Sequence, residues 1–184
     1  MLGHSKKTTV IGALFATLAT VAATVVTAAP ASAAGGSQLR DAYSECIGSN
    51  GGGYNTTAII WDCNGNPDQQ WQFIPAGRDS ITKMVEYKVM NNLGQCLGIS
   101  GGSKSWNAKA TVWSCNGNQD QLWYYEGPMA GRPSGWVVLQ NVNSSLCLGG
   151  NAGSPVRGTS QIQWSCNRND DQVWHFDGPK PSMY

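Results

Sequence analysis

The chain has 184 residues, with 12 Lys and Arg against 11 Asp and Glu, a formal net charge of +1. Charged residues make up only 12% of it, while it holds 23 Gly, eight Trp and six Cys. That balance excludes a basic nucleic-acid footprint and an acidic tail, and it favours a loop-rich all-β extracellular domain over a helical one.

Residues 1–33 read as a secretory signal peptide. Lys6 and Lys7 form a basic start, Val10 to Val26 is an uncharged run rich in Ala, Val, Leu and Thr, and Ala31-Ser32-Ala33 is a small-residue cleavage site, which places the cut near Ala33–Ala34. A membrane-spanning helix takes roughly 20 strongly apolar residues. This run is shorter, is diluted by Ala and Thr, and stops at Pro30. No membrane insertion is expected, and the mature domain is residues 34–184. Without Lys6 and Lys7 its net charge is about −1.

The mature chain is built from three repeats, at about residues 37–77, 85–128 and 134–180. In the first, residues 37–43 show no clean alternation, so the leading strand is the weakest. Cys46-Ile47-Gly48, Ala58-Ile59-Ile60-Trp61 and Trp71-Gln72-Phe73 read as short strands around a Gly- and Asn-rich turn. The second repeat offers Tyr87-Lys88-Val89-Met90, Cys96-Leu97-Gly98-Ile99, Thr111-Val112-Trp113 and Trp123-Tyr124-Tyr125. The third offers Trp136 to Gln140, Cys147-Leu148-Gly149, Ile162-Gln163-Trp164 and Trp174-His175-Phe176. About twelve strands and no helix are expected, because Pro and Gly interrupt every long segment.

Each repeat closes with one motif: WDCNGNPDQQW from Trp61 to Trp71, WSCNGNQDQLW from Trp113 to Trp123, and WSCNRNDDQVW from Trp164 to Trp174. The first Trp recurs after 52 and then 51 residues, the period of a repeat architecture. A unit of this size cannot bury its own apolar face, so three must close on one another. Trp71, Trp123 and Trp174 alternate with Phe73, Tyr125 and Phe176 and are expected to point into that shared core.

The Cys fall two per repeat. Equivalent Cys in equivalent units should form equivalent bridges, which selects Cys46–Cys63, Cys96–Cys115 and Cys147–Cys166 from fifteen pairings. Export supplies the oxidising compartment.

Gln-x-Trp in triplicate (Gln69-Gln70-Trp71, Gln121-Leu122-Trp123, Gln172-Val173-Trp174), each after Trp-x-Cys and an earlier Cys-Ile-Gly or Cys-Leu-Gly, resembles the ricin-type β-trefoil lectin domain, also seen as the carbohydrate-binding module of bacterial xylanases. The resemblance covers residues 37 to about 180. It implies an all-β fold, a β-trefoil of three pseudo-symmetric four-stranded repeats, with up to three weak, shallow sugar sites. It also implies that Trp61, Trp113 and Trp164 stack on the apolar face of a sugar, the alternative being partial burial at a strand end, that Asp68, Asp120 and Asp171 bond its hydroxyls, and that Gln69, Gln121 and Gln172 help hold the pocket. Family members that bind sugar usually carry Asp two residues after the first Cys; here Gly48, Gly98 and Gly149 stand there. A Gln often precedes the stacking aromatic by two residues; here Ile59, Thr111 and Ile162 do. Asp68, Asp120 and Asp171 are expected either to take over as the charged acceptors or simply to cap the turn. Tyr54 and Trp106 either widen the aromatic platform in the first two units, with Arg157 in their place in the third, or pack their loops.

Other chemistry finds little support. His175 is the one His of the mature chain and reads as an outward strand residue. No nucleophile elbow or phosphate loop is present. Asn64 to Asp68 and its copies suit a turn whose side chains bond nearby backbone N–H groups, and they lack the further carboxylates and closing Glu of a calcium loop. Neither metal nor cofactor is expected. Asn55-Thr56-Thr57 and Asn143-Ser144-Ser145 fit the glycosylation pattern. The reading is a secreted, extracellular, monomeric lectin-like module without catalysis, whose partner is a poly- or oligosaccharide of a cell surface or plant wall and not a nucleic acid. The alternative is a secreted protein-binding trefoil, inhibitor or toxin-like, that has lost sugar binding.

Overall fold

The computed structural model describes residues 1–3, 36–127 and 129–178. The signal peptide expected at 1–33 lies outside them apart from its first three residues. The chain divides between Ala31 and Ser32, and every described strand belongs to the second unit, Ser32–Tyr184.

Among the described residues there are twelve strands, four per repeat. Repeat one supplies β1 (Gln38–Arg40), β2 (Cys46–Ser49), β3 (Thr56–Trp61) and β4 (Trp71–Arg78). Repeat two supplies β5 (Val85–Asn91), β6 (Gln95–Ile99), β7 (Ala110–Ser114) and β8 (Leu122–Glu126). Repeat three supplies β9 (Trp136–Asn141), β10 (Cys147–Gly150), β11 (Gln161–Trp164) and β12 (Trp174–Asp177). The leading strand that the sequence left weakest is the short β1. Among the described residues the helices are three-residue 3-10 turns, two per repeat: one follows the second strand in each unit, and one carries the acidic residue before Gln-x-Trp.

The first and fourth strands of the three units form a six-stranded antiparallel barrel. Its neighbours run β1–β12, β12–β9, β9–β8, β8–β5 and β5–β4. Ser37 and Trp71 close the ring by exchanging two backbone hydrogen bonds, of 2.8 and 2.9 Å. The second and third strands of each unit pair as hairpins over one end, β2–β3, β6–β7 and β10–β11. These hairpins touch one another through β3–β7 and through the bridges Ile59–Ser160 and Lys109–Ile162. Closure leaves the barrel without an open edge.

The repeat explains the core. Leu39, Val89 and Leu139 are buried from the first strands, and Ile47, Leu97 and Leu148 from the second. Trp71, Trp123 and Trp174 are buried at the base of the fourth. Each indole Nε1–H finds the carbonyl of the second strand in its own unit: Trp71 to Ile47 at 2.9 Å, Trp123 to Leu97 at 2.9 Å, Trp174 to Leu148 at 3.4 Å. The core Trp thus ties barrel to hairpin, and its one polar atom is satisfied. Burying one such side chain contributes about 5 kcal/mol as an upper figure, taking ~200 Å² at ~25 cal/mol/Å². Beyond the indoles, Phe176 meets Phe73 and Tyr125 edge to face, with centroids 5.0 and 5.5 Å apart, while Phe73 and Tyr125 lie tilted at 6.4 Å around the threefold axis.

The three disulfides are Cys46–Cys63, Cys96–Cys115 and Cys147–Cys166, each with Cα atoms 5.0 Å apart. Each clamps the motif turn to its hairpin, and closing a loop of this length is worth about 3 kcal/mol in the chain-entropy model. The sequon at Asn143 is engaged by the fold, because the Asn143 Nδ2 amide donates to the Gly102 carbonyl at 2.9 Å.

Candidate functional site

Each motif turn is wired alike. Gln69, Gln121 and Gln172 are buried. Their Oε1 atoms accept from the backbone N–H of Asn64, Asn116 and Asn167, each at 2.9 Å. Their Nε2 atoms donate to the carbonyls of Asp62, Ser114 and Ser165 at 2.8, 2.9 and 2.9 Å. The Gln therefore spans the turn with both ends used, and in the first two units it also lines the cavity. Asn64, Asn116 and Asn167 each accept, at 2.9 Å, the N–H of the Asn two residues on. These are Asx turns, and they leave the amide groups at the surface.

Over each turn lies a cavity of about 410 to 440 Å³. Trp61, Asn64, Asn66 and Asp68 line the first. Trp113, Asn116, Asn118 and Asp120 line the second, and Trp164, Asn167, Asn169 and Asp171 the third. Unlike the core Trp ten residues on, Trp61, Trp113 and Trp164 are 44, 43 and 39% exposed. Trp61 and Trp164 end their strands and Trp113 stands one residue before the end of its own, each one residue past a side chain directed inward. The structure thus brings the expected Trp and Asp together in every unit. The paired Asn side chains are lining residues that the motif reading assigned only to turn formation. Their identity in all three copies was the available signal.

Gly48, Gly98 and Gly149 acquire a steric reason. A Cβ at Gly48 would lie 2.7 Å from Asp68 Oδ2 and 2.9 Å from Gln69 Cγ. At Gly149 it would lie 2.8 Å from Asp171 Oδ2 and 2.7 Å from Gln172 Cγ, and at Gly98 2.8 Å from Gln121 Cγ. The carboxylate of the 3-10 turn leans over the glycine. In the first unit it also accepts the Ser49 backbone N–H at 3.1 Å, and in the third it accepts from Gly150. In the first and third units the acid occupies the room that a side chain from the glycine would need, and in the second Gln121 does. Burial raises the pKa of Asp120 and of Asp171; for Asp171 the neighbouring Asp170 carboxylate adds to the rise.

The loops between second and third strands serve the adjoining unit, which corrects the expected placement of Tyr54, Trp106 and Arg157. Asn55, after Tyr54, lines the second cavity, and its N–H reaches Val112 O at 2.8 Å. Asn107, after Trp106, lines the third, and its N–H reaches Gln163 O at 2.9 Å. Gly158, after Arg157, bonds Ile60 O at 2.8 Å beside Trp61 in the first. Asn55, Asn107 and Gly158 all take positive φ, 58°, 65° and 84°, which Asn and Gly tolerate and which turns the chain toward its neighbour. Trp106 accordingly belongs with Trp164, and Arg157 with the first unit.

A six-stranded barrel under three hairpins, with an exposed Trp and a carboxylate over each motif turn, defines a threefold lectin-type β-trefoil. The chain belongs to the ricin-type beta-trefoil lectin domain family, whose pattern matches residues 85–180. No curated protein matches the chain. Its structure is similar to the designed threefold symmetric protein ThreeFoil, at 22% identity and a TM-score of 0.67 over 76% of this chain and 96% of that one. It is similar to 1,3Gal43A, an exo-β-1,3-galactanase from Clostridium thermocellum, at 19% identity and a TM-score of 0.66, over 76% of this chain and 29% of that one. It is also similar to a Polyporus squamosus lectin seen with Neu5Acα2-6Galβ1-4GlcNAc, at 15% identity and a TM-score of 0.62, over 78% and 49%. The chain thus corresponds to less than a third of the galactanase and about half of the lectin.

Proposed function

We propose that this protein is a secreted carbohydrate-binding module with three shallow sites, one over each motif turn, and without catalysis. The observation that carries the reading is the triplicate grouping of an exposed indole, a carboxylate and two Asn side chains around one cavity. An indole face suits the C–H face of a sugar ring, and carboxylate and amide groups bond its hydroxyls. In this role Asp68, Asp120 and Asp171 replace the acid that the family usually places at Gly48, Gly98 and Gly149. Hydrolysis of a glycosidic bond generally takes two carboxyl groups across the bond, whereas each cavity is lined by one, which supports binding alone. Three weak sites on one polymeric target gain from effective concentration. The leader expected at 1–33 and the three disulfides support an extracellular module, which we read as a monomer acting on cell-surface or plant-wall glycans.

The test is a glycan and polysaccharide array with the oxidised protein, beside a folded variant carrying Trp61→Ala, Trp113→Ala and Trp164→Ala. Binding by the first and not the second is expected. Equal binding by both would remove the indoles from the site. Binding by neither would overturn the reading and turn the search to protein partners.

A further inference from the structure

The three cavities are not copies of one another at their rims. The loops that cross between units present Tyr54, Trp106 and Arg157 at equivalent positions. Beside Trp61 the guanidinium of Arg157 is engaged by acids of the first unit: Nε donates to Glu45 Oε1 at 3.1 Å and Nη1 to Asp62 Oδ2 at 2.8 Å. At the second cavity Tyr54 is exposed, and among the described residues no ring contact joins it to Trp113. At the third, the rings of Trp106 and Trp164 adjoin, with centroids 5.3 Å apart and planes at 52°. Trp106 is 62% exposed, so two neighbouring indoles face solvent there.

A buried residue holds that pair in place. Gln163 is inaccessible to solvent and stands where the other units have the buried aliphatics Ile60 and Val112. Its Nε2 donates to the carbonyls of Ser103 and Ser105, both at 2.8 Å, and its Oε1 accepts from Ser144 Oγ at 2.7 Å. Its backbone exchanges hydrogen bonds of 2.9 Å with Asn107 and Ala108. Burying an amide is costly unless it is bonded, and here the bonds go to the loop that carries Trp106. The third unit has exchanged an aliphatic core contact for a pinned aromatic rim.

We propose that the third cavity and Trp106 form one extended site for an oligosaccharide of at least two residues, while the first two cavities each take a single sugar. This rests on the lectin reading above and deepens it. One residue lies on Trp164 within reach of Asn167, Asn169 and Asp171. The next lies with its C–H face on Trp106. The ligand class is a glycan whose consecutive rings expose C–H faces, as rings with equatorial hydroxyls do. A pre-formed platform loses little freedom on binding, so the gain in contact appears as affinity.

The experiment is calorimetric titration of the oxidised full-length chain with xylose, xylobiose and xylotriose and with galactose, lactose and β-1,3-galactobiose. Wild type is compared with Trp106→Ala, Tyr54→Ala and Trp164→Ala. Indole N–H resonances report which sites respond. The expected result is a disaccharide bound about five-fold or more tightly than its monosaccharide, the size of an added aromatic contact, with the Trp106 and Trp164 resonances moving together. Trp106→Ala removes that gain and keeps monosaccharide affinity; Tyr54→Ala keeps the gain. Monosaccharide binding with no chain-length gain, or a gain that survives Trp106→Ala, overturns the proposal and leaves the lectin reading standing. No binding by any of the sugars, together with no binding on the array, overturns both.

Discussion

Two sets of tryptophans, ten residues apart in the same motif, have opposite fates. Trp71, Trp123 and Trp174 are sealed in the barrel with their indole N–H groups bonded to the hairpins. Trp61, Trp113 and Trp164 stand at or next to strand ends with about two-fifths of their surface in solvent. The residue type is the same, and the strand register decides. On the function proposed above, the inner set supplies stability and the outer set recognition, so substitutions should separate the two.

The largest effect is expected at the inner set. Trp123→Ala should destabilise the fold by about 3–5 kcal/mol, as large-to-small core changes do, measured by denaturant unfolding of the oxidised protein. A loss no greater than at an outer Trp would break the contrast. Next in size is the glycine beneath the acid. Gly149→Asp restores the residue the family usually has, but it drives a side chain into Asp171 and Gln172. It should cost about 1–3 kcal/mol, as overpacking does, and should bring no gain in sugar affinity. A stable variant with tighter binding would show that Asp171 does not stand in for the missing acid. At the outer set, Trp113→Ala should change stability by under about 1 kcal/mol while removing binding at the second site, read from melting and titration together.

The smallest effect is the pH dependence. Burial raises the carboxyl pKa of Asp120 and Asp171 in the folded chain. The sign follows from linkage: their contribution to stability is fully present below the unfolded carboxyl pKa and is lost as pH rises through the raised folded values. Sugar binding through the carboxylates should run the opposite way, falling on acidification through that same window. Titrations at several pH values, with Asp120→Asn and Asp171→Asn as references, check it. Sugar affinity that stays flat on acidification would leave these acids as turn caps.

Most of the fold was legible because the repeat is short, threefold and in phase. Trp-x-Cys and Gln-x-Trp mark a strand end, a turn and a strand start. Period-two alternation from Trp71 to Phe73, and in its copies, points the same side chains inward three times. The wiring of Gln69, Gln121 and Gln172 was legible in outline, since a residue identical in every copy of a turn is held there by the turn. The Asn pairs were visible as turn formers but not as lining groups, because an Asx turn looks the same in sequence whether it faces a cavity or open solvent.

The sequence by itself determined the three units, their cysteine pairs and which tryptophans face in, because these follow from spacing within about twenty residues and from repetition, whereas an outward Trp61, Trp113 and Trp164 was implied only by the family resemblance. Only the tertiary structure decided that each hairpin loop serves its neighbour, that Trp106 joins Trp164 while Arg157 reaches Asp62, and that the acid of the first and third turns fills the space above a glycine. Those contacts join residues tens of positions apart across unit boundaries. They depend on how three hairpins close around one axis, and no local spacing records that closure.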